Sequence, residues 1–168
     1  METPLEWILT NSYKADMISY LAAHPEDFNE AMALAVADKQ PYSWRAAWLL
    51  WSCVEENDSR IQGYVEKIIH TIPNRNDDQQ RELLKILLQM DINEDFEGLL
   101  FNHCVYLWEK INKKPSVRFA AFKMMVKIAQ RHPELIKEVI ILGQSRYMDS
   151  LSTAANKSIQ RMIKQPGR

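Results

Sequence analysis

Pro115-Ser116-Val117-Arg118-Phe119-Ala120-Ala121-Phe122 is the stretch whose reading decides the fold. Asn112 to Ser116 is a turn, Ser116 is placed to N-cap a helix, and the apolar residues that follow keep helical spacing to about Arg131. The same order of residues occurs upstream. Ser43-Trp44-Arg45-Ala46-Ala47 stands 73 residues before Ser116-Val117-Arg118-Phe119-Ala120. Between them lies Gln80-Arg81-Glu82-Leu83, its arginine 36 after Arg45 and 37 before Arg118. His24-Pro25-Glu26 returns as His132-Pro133-Glu134 after 108 residues, three times 36. Leu151, Ala155, Ile159 and Met162 answer Val117, Ala121, Met125 and Ile128 at an offset of 34. A period near 36 residues marks a repeat of helix pairs, each unable to bury its apolar stripe alone and stacked on its neighbours.

Outward from these segments the helical period continues. Tyr13, Met17, Tyr20 and Leu21 share one face of a helix over 12–23, and Pro25 opens the next, which runs to about Ala37. Asp38 to Pro41 is a turn before a helix over 43–56. Ile61, Tyr64, Val65, Ile68, Ile69 and Ile72 predict one amphipathic helix over 60–72. Further helices are expected over 78–90, 95–111, 117–131, 133–147 and 150–164. The domain is expected to be single, with units at about 25–59, 60–94, 95–132 and 133–164. Residues 1–24 are read as an N-terminal capping helix and 165–168 as a frayed tail.

Composition agrees with this reading and narrows function. The 168 residues include only 4 glycines, and 46% are hydrophobic. The 21 basic and 22 acidic residues give a net charge of −1, against the basic excess usual for chains that live on phosphate backbones. The start, Met1-Glu2-Thr3-Pro4-Leu5-Glu6, lacks a secretory pattern, and the longest apolar run, Ala46 to Trp51, is too short to span a bilayer. A cytoplasmic protein without membrane contact is expected. Cys53 and Cys104 read as isolated thiols. His70, His103 and Cys53 have no metal-ligand spacing, and Gly63, Gly98, Gly143 and Gly167 stand alone, so no metal, cofactor or phosphate-cradling loop is expected.

The Val117-Arg118 pair, followed by small alanines and then large apolar residues, resembles the second helix of a HEAT repeat. The resemblance spans roughly residues 25–164. It implies an all-α, right-handed α-α superhelix of the HEAT or armadillo kind, about four helix pairs behind the N-terminal cap. In that family the arginine commonly meets an aspartate from a neighbouring turn, forming a polar ladder. Arg45, Arg81 and Arg118 would supply the arginines, and Asp38, Asp77 or Asp78, and Asp149 the aspartates. The third turn offers only Asn112, and the fourth unit has Ser152 near the arginine place.

Two function classes follow. The first is a non-catalytic protein-interaction or scaffold module that holds a protein or peptide on a concave face, with Arg45, Ser52, Glu56, Arg81, Lys85, Arg118 and Lys123 as candidate contacts. The second is an enzyme. Tyr42-Ser43-Trp44-Arg45-Ala46-Ala47 is similar to the Trp-x-Arg-Arg-Ala-Ala segment of the HEAT-like alkylpurine DNA glycosylases, which grip duplex DNA in a basic channel and set aromatic and acidic residues at the lesion. Here one arginine follows the tryptophan where that segment has two. Trp44, Trp48 and Trp51 share one side of their helix. Because Ala46, Leu49, Leu50 and Cys53 make that helix apolar nearly all round, core packing is the expected use of the tryptophans, and an aromatic platform is the alternative.

Overall fold

Thr3 starts the first helix, α1 (Pro4–Asn11), with a reciprocal cap. Its hydroxyl accepts from the Glu6 N–H at 3.1 Å, and the Glu6 carboxylate accepts from the Thr3 N–H at 3.1 Å. The computed structural model describes residues 1–164, so the tail 165–168, expected to fray, lies outside the described residues. Eleven α-helices and four short 3-10 turns take up 77% of them, with no strand among them. None of the described helices is long and apolar enough to cross a membrane. The segment 1–24, expected as a single capping helix, is a pair: α1 is followed by α2 (Lys14–Ala23). Leu5 and Leu9 bury the inner side of α1 completely.

The chain divides into two compact units, Met1–Ile92 and a second from Asn93 onward. In the first, a 3-10 turn (Pro25–Asp27) leads to α3 (Phe28–Val36), and α4 (Tyr42–Cys53) packs against it. Next come α5 (Ser59–Gln62), α6 (Val65–Thr71), a 3-10 turn (Ile72–Asn74) and α7 (Asp77–Leu88), which lies along α4. The single helix expected over 60–72 is therefore broken at Gly63 and Tyr64. Glycine is the weakest helix former short of proline. Ile61, Val65, Ile68, Ile69 and Ile72 are buried on both sides of the break, which is why their spacing concealed it.

Polar side chains close the helix ends inside this unit. Gln79 donates to the carbonyls of Ala35 and Ala37 at 2.8 Å each, and Arg75 Nη2 donates to Val36 at 2.8 Å. These are last-turn carbonyls of α3 and its cap, which have no partner within the helix. Gln80 Nε2 does the same for Ile72 at 2.8 Å.

The second unit contains α8 (Glu94–Glu109), α9 (Pro115–Arg131), α10 (Ile136–Leu142) and α11 (Thr153–Lys164), with 3-10 turns at Pro133–Leu135 and Ser145–Met148. The helix expected over 133–147 is thus one short helix between two 3-10 turns. Gly143 ends α10 at a close approach: a Cβ there would come within 2.1 Å of Ile163 Cδ1 and 3.1 Å of Phe122 Cζ. Trp108 is the central side chain. It is fully buried, its ring centroid lies 4.8 Å from that of Phe122, and its indole N–H donates to the Leu142 carbonyl at 2.7 Å.

Candidate interaction face on the tryptophan helix

The inner side of α4 is filled by Ser43, Ala46, Ala47, Leu49 and Leu50, all buried. At 100° per residue these positions occupy one broad arc, and Trp44, Trp48, Trp51, Ser52 and Arg45 fall on the other. The three tryptophans are half-buried. This corrects the expectation that they sit in the core. The small residues at 43, 46 and 47 let α4 approach its neighbours closely and leave no room for indoles on that side.

A cation covers each indole. Lys85 Nζ, from α7, lies 4.5 Å from the centre of the Trp51 ring. The Arg45 guanidinium lies 5.0 Å from the Trp44 ring, and Lys14 Nζ, from α2, lies 5.4 Å from the Trp48 ring. Next to Lys85 sits Glu82, only 2% exposed in its side chain. Its Oε1 accepts from Arg81 Nε at 2.9 Å and is 3.7 Å from Lys85 Nζ. Its Oε2 is buried with no hydrogen-bond partner, and so is Arg45 Nε. Arg81 Nη1 also reaches Asp78 at 3.2 Å.

The candidate residues separate accordingly. Arg45, Ser52, Arg81 and Lys85 belong to this one face of the first unit. The Ser52 hydroxyl, however, is engaged by its own helix, donating to the Trp48 carbonyl at 3.0 Å. Glu56 is exposed in the turn after α4. Lys123, in the second unit, is exposed and stands 5.8 Å from the centre of the Phe119 ring. Arg118 is corrected: expected on the partner-facing surface, it is 0% exposed. Its Nε donates to the Trp108 carbonyl at 2.9 Å, Nη1 to Ser150 Oγ at 2.7 Å and Nη2 to the Tyr147 carbonyl, while the guanidinium lies 4.5 Å from the Trp108 ring centre. Burial lowers its pKa from the ordinary arginine value. With three bonds to carbonyl and hydroxyl oxygens, it is a structural tie.

The arginine-to-aspartate ladder takes another form as well. Arg45 Nη1 donates to the Leu9 carbonyl at 3.1 Å, and Arg81 bonds Asp78 of its own helix. Arg118 reaches Tyr147 and Ser150, the residues on either side of the expected Asp149 and its turn. Two members of the face went unread in the sequence. Lys14 comes from another helix, and Glu82 looked like one more solvated acid.

Neither cysteine is set up as a nucleophile. Both are free thiols; burial raises the pKa of Cys53 and pushes that of fully buried Cys104 well above the ordinary thiol range. Among the described residues no three His, Cys, Asp or Glu side chains form a group that could hold a metal.

A family model described as a HEAT repeat domain matches residues 2–165. No curated protein and no solved structure matches the chain.

Proposed function

The chain belongs to the HEAT repeat family, and on that premise we propose that it is a non-catalytic interaction module that holds a protein partner on the tryptophan face of α4. The observation that carries this reading is the row of three half-buried tryptophans, each under a cation, on a helix whose other side is well packed. Trp and Arg are the residue types that most often dominate binding energy at protein interfaces. HEAT repeats commonly mediate protein interaction. The proposal includes right-handed stacking of about four helix pairs within one domain. It also places the protein in the cytoplasm, whose reducing conditions suit two free thiols.

A second reading, a glycosylase-like grip on DNA, draws on the same face, because the Glu82 carboxylate lies beside the cation that covers Trp51. The balanced charge of the chain weighs against it.

Affinity capture from native lysate separates the two. The full chain and a Trp48→Ser/Trp51→Ser variant, matched in helicity by circular dichroism, are compared with and without nuclease. A protein retained after nuclease by the parent and lost by the variant is the expected result. A catch that nuclease abolishes turns the reading to DNA. Equal capture by the variant removes the α4 face from the function.

A further inference from the structure

We propose that the segment seated on the α4 face is an acidic peptide with large apolar side chains, whose carboxylates take over the cations that now cover the tryptophans. This rests on the reading of that face as the contact surface and specifies the chemistry of its occupant.

The charge on the face is the first argument. Lys14, Arg45 and Lys85 stand over the three indoles, and of these cations only Lys85 has a carboxylate within 4 Å among the described residues, that of Glu82, so the positions directly over the rings are positive in a chain of net charge −1. The second is that these three cations are weakly employed. Lys14 pairs with no carboxylate among the described residues, Arg45 Nε is buried without an acceptor, and Lys85 stands 3.7 Å from its nearest carboxylate oxygen. A cation over a half-buried indole contributes about 0.5–2 kcal/mol. A partner carboxylate can offer each a charge-assisted hydrogen bond, stronger than that contact.

The geometry gives the exchange a physical form. With Lys85 drawn to a partner carboxylate, the Trp51 ring is uncovered for an apolar side chain. From Trp44 to Trp51 the helix rises about 10 Å, the reach of three extended residues or two turns of a partner helix. A continuous phosphate backbone fits less well. Duplex DNA carries a charge about every 1.7 Å of its axis, and it would be driven against Glu82, Asp78 and the exposed Glu55 and Glu56 beyond the helix end. A peptide can set its carboxylates at the cations alone.

Four fluorescein-labelled probes test this by anisotropy against the full chain at low and at physiological salt. The first is a pool of 12-residue peptides with Glu fixed at alternate positions and Leu, Phe or Ile at the others. The second replaces every Glu by Gln, the third every apolar residue by Ser, and the fourth is a 12-nucleotide oligothymidylate. The first pool should bind about tenfold or more tighter than each of the other three probes, a difference that shrinks with salt. Lys14→Gln/Lys85→Gln should remove most of that advantage, and Trp51→Ala should weaken the first pool with helicity unchanged. Equal binding of the Gln pool, tighter binding of the oligothymidylate, or no binding of the first pool overturns the proposal. Loss of binding to the Gln pool on Trp51→Ala would then still support the face as a contact surface, and the lysate capture judges that reading independently.

Discussion

Arg45 and Arg118 each stand fourth in their helix, one in α4 of the first unit and one in α9 of the second, and the structure uses them in opposite ways. Arg118 is sealed, with every guanidinium nitrogen donating to a carbonyl or hydroxyl. Arg45 is half-buried, with one donor on Leu9, Nε unpartnered and its plane near Trp44. One sequence motif therefore ties a helix pair together in one place and helps form an open face in the other. What differs is the set of acceptors around it. In α9 the arginine faces the Trp108 carbonyl at the end of α8 and the turn at 147–150. In α4 the Leu9 carbonyl of the short helix α1 is the acceptor it reaches.

The largest expected effect is at the sealed arginine. Arg118→Ala leaves three acceptors without their donor and a void against Trp108, and should cost about 3–5 kcal/mol in urea denaturation. Arg118→Gln sharpens the point. The fourth residue of α7 is Gln80, buried, and its amide ties to Ile72 as Arg118 Nε ties to Trp108. The glutamine variant should recover part of the loss and cost about 1–3 kcal/mol. If both variants stay within about 0.5 kcal/mol of the parent, the contrast between the two arginines collapses.

Gln80 also shows where sequence reading reached its limit. Aligning Arg45, Arg81 and Arg118 by spacing placed α7 one residue out of register. That is 100° around a helix, enough to turn a buried tie into the half-buried Arg81, 20% exposed in its side chain. Most helices, several of their proline starts and the family were legible, because apolar period and turn residues repeat. Ser43 and Ser116, read as N-caps, are instead the second residues of α4 and α9, whose caps are Pro41 and Lys114. The helix α1 was missed although Thr3 and Glu6 have capping-box spacing, since eight residues carry too few apolar positions to show a period. The outward side of α4 could not be told from its inward side. A helix apolar nearly all round has no phase, and small residues at 43, 46 and 47 decided it through packing.

Arg60 supplies an intermediate case, paired like Arg118 but 49% exposed in its side chain. It donates through Nε at 3.0 Å and Nη2 at 2.7 Å to Asp58, whose carboxylate also caps α5 and accepts from the Glu55 N–H. The Arg60 hydrogen bonds hold the Asp58 pKa at about 2, below its ordinary 3.8, against the opposing effect of burial. A depressed carboxylate contributes fully above its unfolded value and loses that contribution as pH falls through the folded one. Asp58→Asn should therefore cost about 1–2 kcal/mol at pH 7, discounted for the exposed partner, and the gap from the parent should close between about pH 4 and pH 2. Urea titrations across that range measure it. Because asparagine still caps α5 through its amide oxygen, a gap independent of pH would mean that exposure has cancelled the ion pair.

The smallest effect is expected at Arg45, and it gives the comparison its functional meaning. Arg45→Ala removes one hydrogen bond to Leu9 and the contact over Trp44. It also removes a buried Nε that has no partner, and losing an unsatisfied donor relieves a cost. These contributions oppose one another, so stability should change by no more than about 1 kcal/mol. Lysate capture should respond far more, because the same change strips a cation from the face. A residue that matters to folding shows its largest effect in the urea midpoint; one that matters to a partner shows it in retention at unchanged midpoint. If Arg45→Ala instead unfolds the chain as Arg118→Ala does, the two arginines are one structural device, and the tryptophans of α4 lose their charged companion as evidence for binding.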